Sequence, residues 1–77
     1  MEVSDVVKVD KDILGGTPVF RGTRVPIKNF FDYLKAGDSL NDFLNEFNYI
    51  PRESCYVILK AAEQLFIEAQ LHENINS

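Results

Sequence analysis

Cysteine and histidine are almost absent from this 77-residue sequence, which has one of each, Cys55 and His72, and no tryptophan. A single cysteine excludes an internal disulfide, and one cysteine with one histidine excludes a zinc site built from paired ligands. No apolar run approaches the ~20 residues of a membrane-spanning helix, and no signal-peptide pattern opens the chain. We therefore expect one cytoplasmic domain over residues 1–77, with no metal and no cofactor.

Positive charge is also scarce, because eight Lys or Arg residues stand against twelve Asp or Glu. Residues 1–36 hold six basic and five acidic residues, a net charge of +1, whereas residues 37–77 hold two and seven, a net charge of −5. Contacts between basic side chains and phosphates supply non-specific affinity for nucleic acid. Any DNA contact of this chain must therefore be local or shared across a complex, and its acidic half suits a basic partner.

The sequence contains no arrangement of residues that is typical of an enzyme. His72 stands alone in a polar tail (72–77), and Cys55 lies on an apolar helical stripe, where a buried thiol is expected. The phosphate-binding pattern G-x-x-x-x-G-K-[ST] is missing. We predict a binding module without catalytic residues.

Unusual residues concentrate in the segment Gly15–Pro26, which holds three of the four glycines, two of the three prolines and no acidic residue. Apolar residues at 19–20 and at Val25 predict short strands on either side of a tight turn. The turn would present Arg21 and Arg24 as a small hairpin or wing. Two alternatives stay open: both arginines are merely solvated, or Arg24 bonds to backbone carbonyls and fixes the turn.

Helical periodicity follows this segment and predicts three helices, at about 26–36, 39–47 and 51–71. Pro26 and Pro51 suit first helical positions, Gly37 suits a helix end, and Ser39 with Asp42 suits a capping box. Residues 1–25 form a strand or hairpin arm, with residues 1–5 frayed and a strand at 6–9. The predicted fold is mostly α with a small N-terminal β-hairpin, a three-helix helix-turn-helix or winged-helix-like domain. The expected core contains Phe30, Phe43, Leu44, Ile58 and Leu65.

The second and third helices and their turn (48–51) form the candidate helix-turn-helix. At the start of its last helix, Arg52 and Ser54 are the side chains best suited to reading bases. The complete set of candidate partner- or DNA-binding residues is Arg21, Gly22, Thr23, Arg24, Lys28, Arg52 and Ser54.

Ile67 and Leu71 lie off the main apolar stripe of the third helix and predict an interface. A domain of this size buries a thin core and often gains stability by association. Phe66, Ile67 and Leu71 are the candidate oligomer or partner contacts, in a homodimer or a hetero-complex. The alternative is that the N-terminal strand covers them.

The run from Gly16 to Ile27, G-T-P-V-F-R-G-T-R-V-P-I, resembles the signature of the family called Domain of Unknown Function 433. Residues 33–39, then Phe43-Leu44 and Phe47, are similar to its continuation, so the resemblance covers roughly residues 6–65. It implies a winged-helix-like fold. Many members are encoded beside a PIN-like toxin and are classed as type II antitoxins. The chain departs from the pattern at Pro51, where a Ser or Thr cap is usual, which removes that cap's phosphate contact.

The resemblance therefore implies an antitoxin of a type II toxin-antitoxin system. Such a protein neutralises a PIN-like nuclease and binds operator DNA for autoregulation. Arg21 or Arg24 would then enter the carboxylates that hold the nuclease's metal, since arginine pairs with carboxylates bidentately. The alternative function is a dimeric protein-protein interaction or scaffold domain without a nucleic-acid role.

Overall fold

The computed structural model describes the backbone of residues 1–76 and the side chains of residues 1–69. It is mostly helical, with a two-stranded antiparallel sheet near the N-terminus, which confirms the predicted fold class. The elements in chain order are helix α1 (Val3–Val6), strand β1 (Val7–Lys8), a 3₁₀ turn (Leu14–Gly16), strand β2 (Val19–Phe20), and helices α2 (Ile27–Lys35), α3 (Leu40–Glu46) and α4 (Arg52–Asn76).

The N-terminus forms a short helix, so the prediction that residues 1–5 are frayed is wrong. The backbone N–H of Glu2 donates to the Asp5 carboxylate at 2.8 Å, and the N–H of Asp5 donates to the Glu2 carbonyl at 3.0 Å. Val6, at the end of α1, is buried in the core. These reciprocal bonds and the buried Val6 side chain hold a segment that its polar composition alone would leave loose.

The two-stranded sheet joins the N-terminal arm to the glycine-rich segment. Val7 lies opposite Phe20, and Lys8 lies opposite Val19. The predicted hairpin around residues 21–23 is present as a tight turn. The chain after the turn forms no strand, and it pairs with β2 only through an isolated bridge between Val19 and Pro26. Pro26 has no N–H to donate and helix α2 begins directly after it, so the ladder cannot continue.

Helix α2 ends as the position of Gly37 predicts. Gly37 has a φ of +91°. Its N–H donates to the carbonyl of Leu34 at 3.1 Å, and the N–H of Asp38 donates to the carbonyl of Tyr33 at 2.9 Å. This pair of bonds is the Schellman arrangement, in which a left-handed residue turns the chain out of the helix.

Helix α3 begins with the predicted capping box. The N–H of Asp42 donates to the Ser39 hydroxyl at 3.0 Å, and the N–H of Ser39 donates to the Asp42 carboxylate at 2.8 Å. With Gly37 ending one helix and Ser39 starting the next, α2 and α3 are forced into neighbouring positions around the core.

The core brings aromatic residues of β2, α2 and α3 together with the first turns of α4. Phe20, Phe30 and Phe43 are each no more than 2% exposed, and Cys55 is fully buried. Leu44 is half-buried against this cluster.

Leu65 is 69% exposed, so its predicted place in the core is wrong. The physical reason is length. Helices α2 and α3 have nine and seven residues, whereas α4 has 25 and reaches Asn76, beyond the predicted end at 71. The short helices cannot cover the far half of a rod about 37 Å long.

Candidate functional site

The arginine turn, residues 20–25, is closed by its own backbone and by one threonine. The N–H of Thr23 donates to the Phe20 carbonyl at 3.0 Å, with Gly22 at φ +80° in the third position of the turn. The Thr23 hydroxyl donates to the same carbonyl at 2.7 Å and accepts from the N–H of Val25 at 3.0 Å. Gly22 and Thr23 therefore shape the turn, because a left-handed residue is needed there and the hydroxyl is already bonded.

Arg21 fastens the N-terminal helix to this turn. Its backbone N–H donates to the Val6 carbonyl at 2.8 Å. Its Nη2 donates to the carbonyls of Ser4 at 2.9 Å and Val7 at 3.2 Å. Carbonyls at the end of a helix lack partners within the helix, and a guanidinium satisfies them well. Arg21 thus has a scaffolding role in this structure, and its contact with a partner stays a prediction.

Arg24 differs from Arg21 in its bonding, although both residues are exposed. Its side chain forms no hydrogen bond and no ion pair with the described residues 1–69. The sequence left open that Arg24 is the internal arginine of the turn. In the structure the internal arginine is Arg21, and Arg24 presents its guanidinium to solvent.

Lys28 lies two residues beyond Pro26 and is paired within its own helix. Its Nζ lies 2.8 Å from an Asp32 oxygen, at i,i+4 spacing, and Lys35 approaches the same carboxylate at 3.3 Å. The hydrogen bond from Lys28 is the largest cause that lowers the pKa of Asp32, and the bond from Lys35 lowers it further. Lys28 therefore already has an acidic partner within its own helix, and it shares that carboxylate with Lys35.

The two predicted base-reading residues of the helix-turn-helix pair differ in exposure. The Nη2 of Arg52 donates to the Asn41 side-chain oxygen at 2.6 Å, which ties the start of α4 to α3 while both side chains stay exposed. Ser54 is only 7% exposed, and its role in reading bases stays a prediction. The cause of its burial is helical phase, because Ser54 shares the inward face of α4 with Cys55 and Ile58. Asn41 was not predicted, and its only sequence signal is its position on the polar face of α3.

Cys55 has the environment of a structural thiol. Burial raises its pKa to about 11, against a small lowering by Arg52. The thiol is therefore protonated at neutral pH, and the thiolate is the nucleophilic form. Among the described residues, no three His, Cys, Asp or Glu side chains form a group suited to a metal ion. The side chain of His72 lies outside the described residues.

The far half of α4 carries an exposed apolar surface. Leu65, Phe66 and Ile67 are 69%, 65% and 48% exposed. The predicted interface residue Leu71 lies outside the described side chains. Helix α1 packs on α4 one to two turns earlier, near Val57 and Ala61, so the alternative that the N-terminal arm covers the interface residues is wrong for Phe66 and Ile67. Within the described part of the chain, none of the helices has the length and hydropathy of a membrane span.

An apolar groove lies next to these side chains. Its volume is about 340 Å³. Residues of α1, β1, α2 and α4 line it, with only Thr17 and Lys28 as polar lining: Val3, Val7, Thr17, Pro18, Ile27, Lys28, Phe31, Ile58, Ala61, Ala62 and Leu65. The groove was not predicted from the sequence. Its signal there is the pair of adjacent alanines, Ala61 and Ala62, whose short side chains leave a depression on the surface of a helix.

Fold and site together define a small helical domain that presents a hydrogen-bonded turn and an exposed apolar helix face. The chain belongs to the family described as "Protein of unknown function (DUF433)", whose model matches residues 7–60. The match contains the arginine turn, α3 and the first nine residues of α4, and it ends before the exposed Leu65, Phe66 and Ile67.

One curated relative adds no assigned activity. Over 40 residues the chain is 48% identical to the uncharacterized protein y4eO of Sinorhizobium fredii (strain NBRC 101917 / NGR234). The aligned segment covers 52% of this chain and 18% of that protein, so the chain corresponds to less than a fifth of the relative's length. No solved structure matches the chain significantly.

Proposed function

We propose that this protein is a non-enzymatic antitoxin that binds and neutralises a PIN-like nuclease, with Arg24 as its principal polar contact. One observation carries the proposal: on a turn whose other polar side chains are bonded internally, the exposed Arg24 guanidinium forms no hydrogen bond and no ion pair with the described residues 1–69. The nature of the partner comes from the resemblance to a family whose members are encoded beside such toxins.

The chemistry of the two surfaces is complementary. PIN-like nucleases hold metal ions with clustered carboxylates, and a guanidinium pairs with carboxylates through two parallel hydrogen bonds. An arginine in that cluster would compete with the metal and block the entry of RNA. Because Gly22 and Thr23 already fix the turn, little backbone freedom is lost on binding. The absence of acidic residues between Asp12 and Asp32 also limits repulsion by the toxin's carboxylates.

A role without catalysis agrees with the state of the best nucleophile. Cys55 is buried, and its raised pKa keeps it as a thiol at neutral pH. A catalytic cysteine needs an exposed position and a lowered pKa.

Operator binding is the second part of the proposal and has less support. With Ser54 buried, Arg52 is the one predicted base-reading residue that stays exposed, and its guanidinium already donates to Asn41. Any contact with DNA would therefore be confined to a few phosphates, with a shallow salt dependence for each copy of the chain.

The exposed apolar surface of α4 favours a second candidate function, a plain interaction domain without a nucleic-acid role. The two candidates differ in what the arginine turn does. In an interaction domain built on α4, Arg24 is dispensable, whereas in an antitoxin it is required.

Co-expression with a PIN-like nuclease from the same genome tests the proposal. The parent chain should relieve the growth arrest caused by the toxin and should co-purify with it at a fixed mass ratio. Arg24→Ala should do neither, and Arg24→Lys should recover only part of the effect, because lysine cannot pair bidentately. Lys11→Ala is the matched control, since it removes an exposed cation outside the turn. Full neutralisation by Arg24→Ala would contradict the proposed role of the turn.

A further inference from the structure

We infer that the groove beside α4 binds the α4 end of a second copy of this chain, in a symmetric pair. This inference concerns a surface that lies outside the arginine turn, and it does not depend on the proposed nuclease partner. It commits to one occupant, because α4 provides both one wall of the groove and the side chains suited to filling it.

The groove has the shape and chemistry to receive a large apolar side chain. Its volume is about 340 Å³, and Phe31 of α2 and Ile58 of α4 form part of its wall. Ala61 and Ala62 line the side formed by α4. Their short side chains leave room beside the helix axis, which allows another helix to approach closely.

The projecting side chains lie directly beyond the alanines. Phe66 stands one turn after Ala62, about 6 Å further along the helix. Leu65 lines the edge of the groove and is nevertheless 69% exposed, and Phe66 is 65% exposed. Ala62, Leu65 and Phe66 share one face of the helix, by their i, i+3 and i+4 spacing. A recess and a projection thus follow each other on a single face.

That arrangement is self-complementary about a two-fold axis. In a symmetric pair, the same patch on each copy contacts itself in the reverse direction. If two α4 helices pack antiparallel through this face, with the two-fold axis midway between Ala62 and Phe66 along the helix, Phe66 of each copy lies opposite Ala62 of the other. Each large ring then meets a small residue, and both apolar surfaces are covered at once.

Charge supports the same occupant. The groove has a single charged lining residue, which is the basic Lys28. The segment of α4 from Ala61 to Gln70 contains Glu63 and Glu68 and no basic residue. A second copy therefore brings acidic side chains toward a basic rim, so the pair should weaken as the salt concentration rises.

Sedimentation equilibrium of the full chain tests the pair directly, over about 1 to 100 μM, a range that brackets micromolar dissociation constants. The parent should associate to a dimer. Phe66→Glu should weaken that association at least ~100-fold, since it buries a charge in both halves of a symmetric interface. Tyr56→Glu is the matched control, because Tyr56 is 53% exposed on the same helix but does not line the groove. It should leave the association unchanged.

Cross-linking gives an independent measurement if a substitution alters folding. Leu65→Cys should form a covalent dimer with a short bis-maleimide, and Tyr56→Cys should not. The buried Cys55 gives little background reaction. A parent chain that is monomeric throughout, a Phe66→Glu variant that dimerises like the parent, or equal cross-linking at both cysteines would overturn the inference. A monomer that binds the nuclease through Phe66 would overturn it too, while leaving the antitoxin proposal intact.

Discussion

Truncation of Phe43 should be the most damaging single change to the fold, because this side chain is fully buried at the centre of an aromatic cluster. Its ring centroid lies 4.9 Å from that of Phe47, 5.1 Å from Phe30, 5.3 Å from Tyr33 and 5.7 Å from Phe20. Phe43→Ala therefore removes contacts with α2, α3 and β2 together. A buried Phe→Ala change costs about 3–5 kcal/mol through lost transfer energy and the cavity that remains.

That cost is large compared with the total stability of the domain. At about 0.05–0.15 kcal/mol per residue, a chain of this size unfolds with a free energy of about 4–12 kcal/mol. Urea denaturation followed by circular dichroism should show a much lower midpoint for Phe43→Ala and a smaller decrease for Phe43→Leu. Tyr49→Ala is the control, since Tyr49 is 62% exposed and its loss should change stability by about 0.5 kcal/mol or less. Equal midpoints for Phe43→Ala and Tyr49→Ala would refute the described core.

Three further outcomes follow from the local contacts. Arg21→Ala removes the donors to the carbonyls of Ser4 and Val7, so the melting temperature should fall, and an unchanged value would mean that these bonds do not stabilise α1. Ser39→Ala removes the N-cap acceptor of α3 and should cost about 1 kcal/mol in urea denaturation; a parent-like midpoint would argue against the capping box. The bond from the Ser39 backbone, followed by that from its hydroxyl, lowers the pKa of Asp42. The stability that ionised Asp42 contributes to the fold is therefore complete above the pKa of Asp42 in the unfolded chain, and it is lost as the pH falls through the lower pKa in the folded protein. In urea denaturation at several pH values, Asp42→Asn should remove this acid sensitivity.

Local signals in the sequence predicted the helices well because their ends have dedicated chemistry. Gly37 permits the left-handed turn that ends α2, and Ser39 with Asp42 caps α3 through bonds that span only three residues. Such interactions can be predicted from spacing alone. The place of Leu65 could not be predicted in the same way, because its stripe on α4 is continuous and only the lengths of α2 and α3 decide where burial stops.

The sequence predicted which segment forms the candidate site, but it did not predict the different roles of Arg21 and Arg24. Glycine, proline and basic residues pointed to the turn at 20–25. Which arginine is hydrogen-bonded within the chain depends on helix α1, because the carbonyls at its end lie within reach of Arg21 although they are 14 to 17 residues away in sequence. Nothing in the spacing of Arg21 and Arg24 reveals that contact. The groove beside Ala62 likewise depends on how α1, α2 and α4 meet, which periodicity does not describe.

The most direct test compares the two arginines, of which Arg21 is expected to stabilise the fold and Arg24 to contact the partner. We would measure, for Arg21→Ala and Arg24→Ala alike, the melting temperature of the free protein and its calorimetric affinity for a catalytically inactive form of the proposed PIN-like partner. Removing one member of a buried charge pair typically costs about 2–5 kcal/mol in binding, or roughly 30- to 4000-fold in Kd. We predict that Arg24→Ala loses affinity in that range and melts like the parent, whereas Arg21→Ala melts at a lower temperature. A parent-like Kd for Arg24→Ala, with the whole loss of affinity at Arg21→Ala, would contradict this prediction.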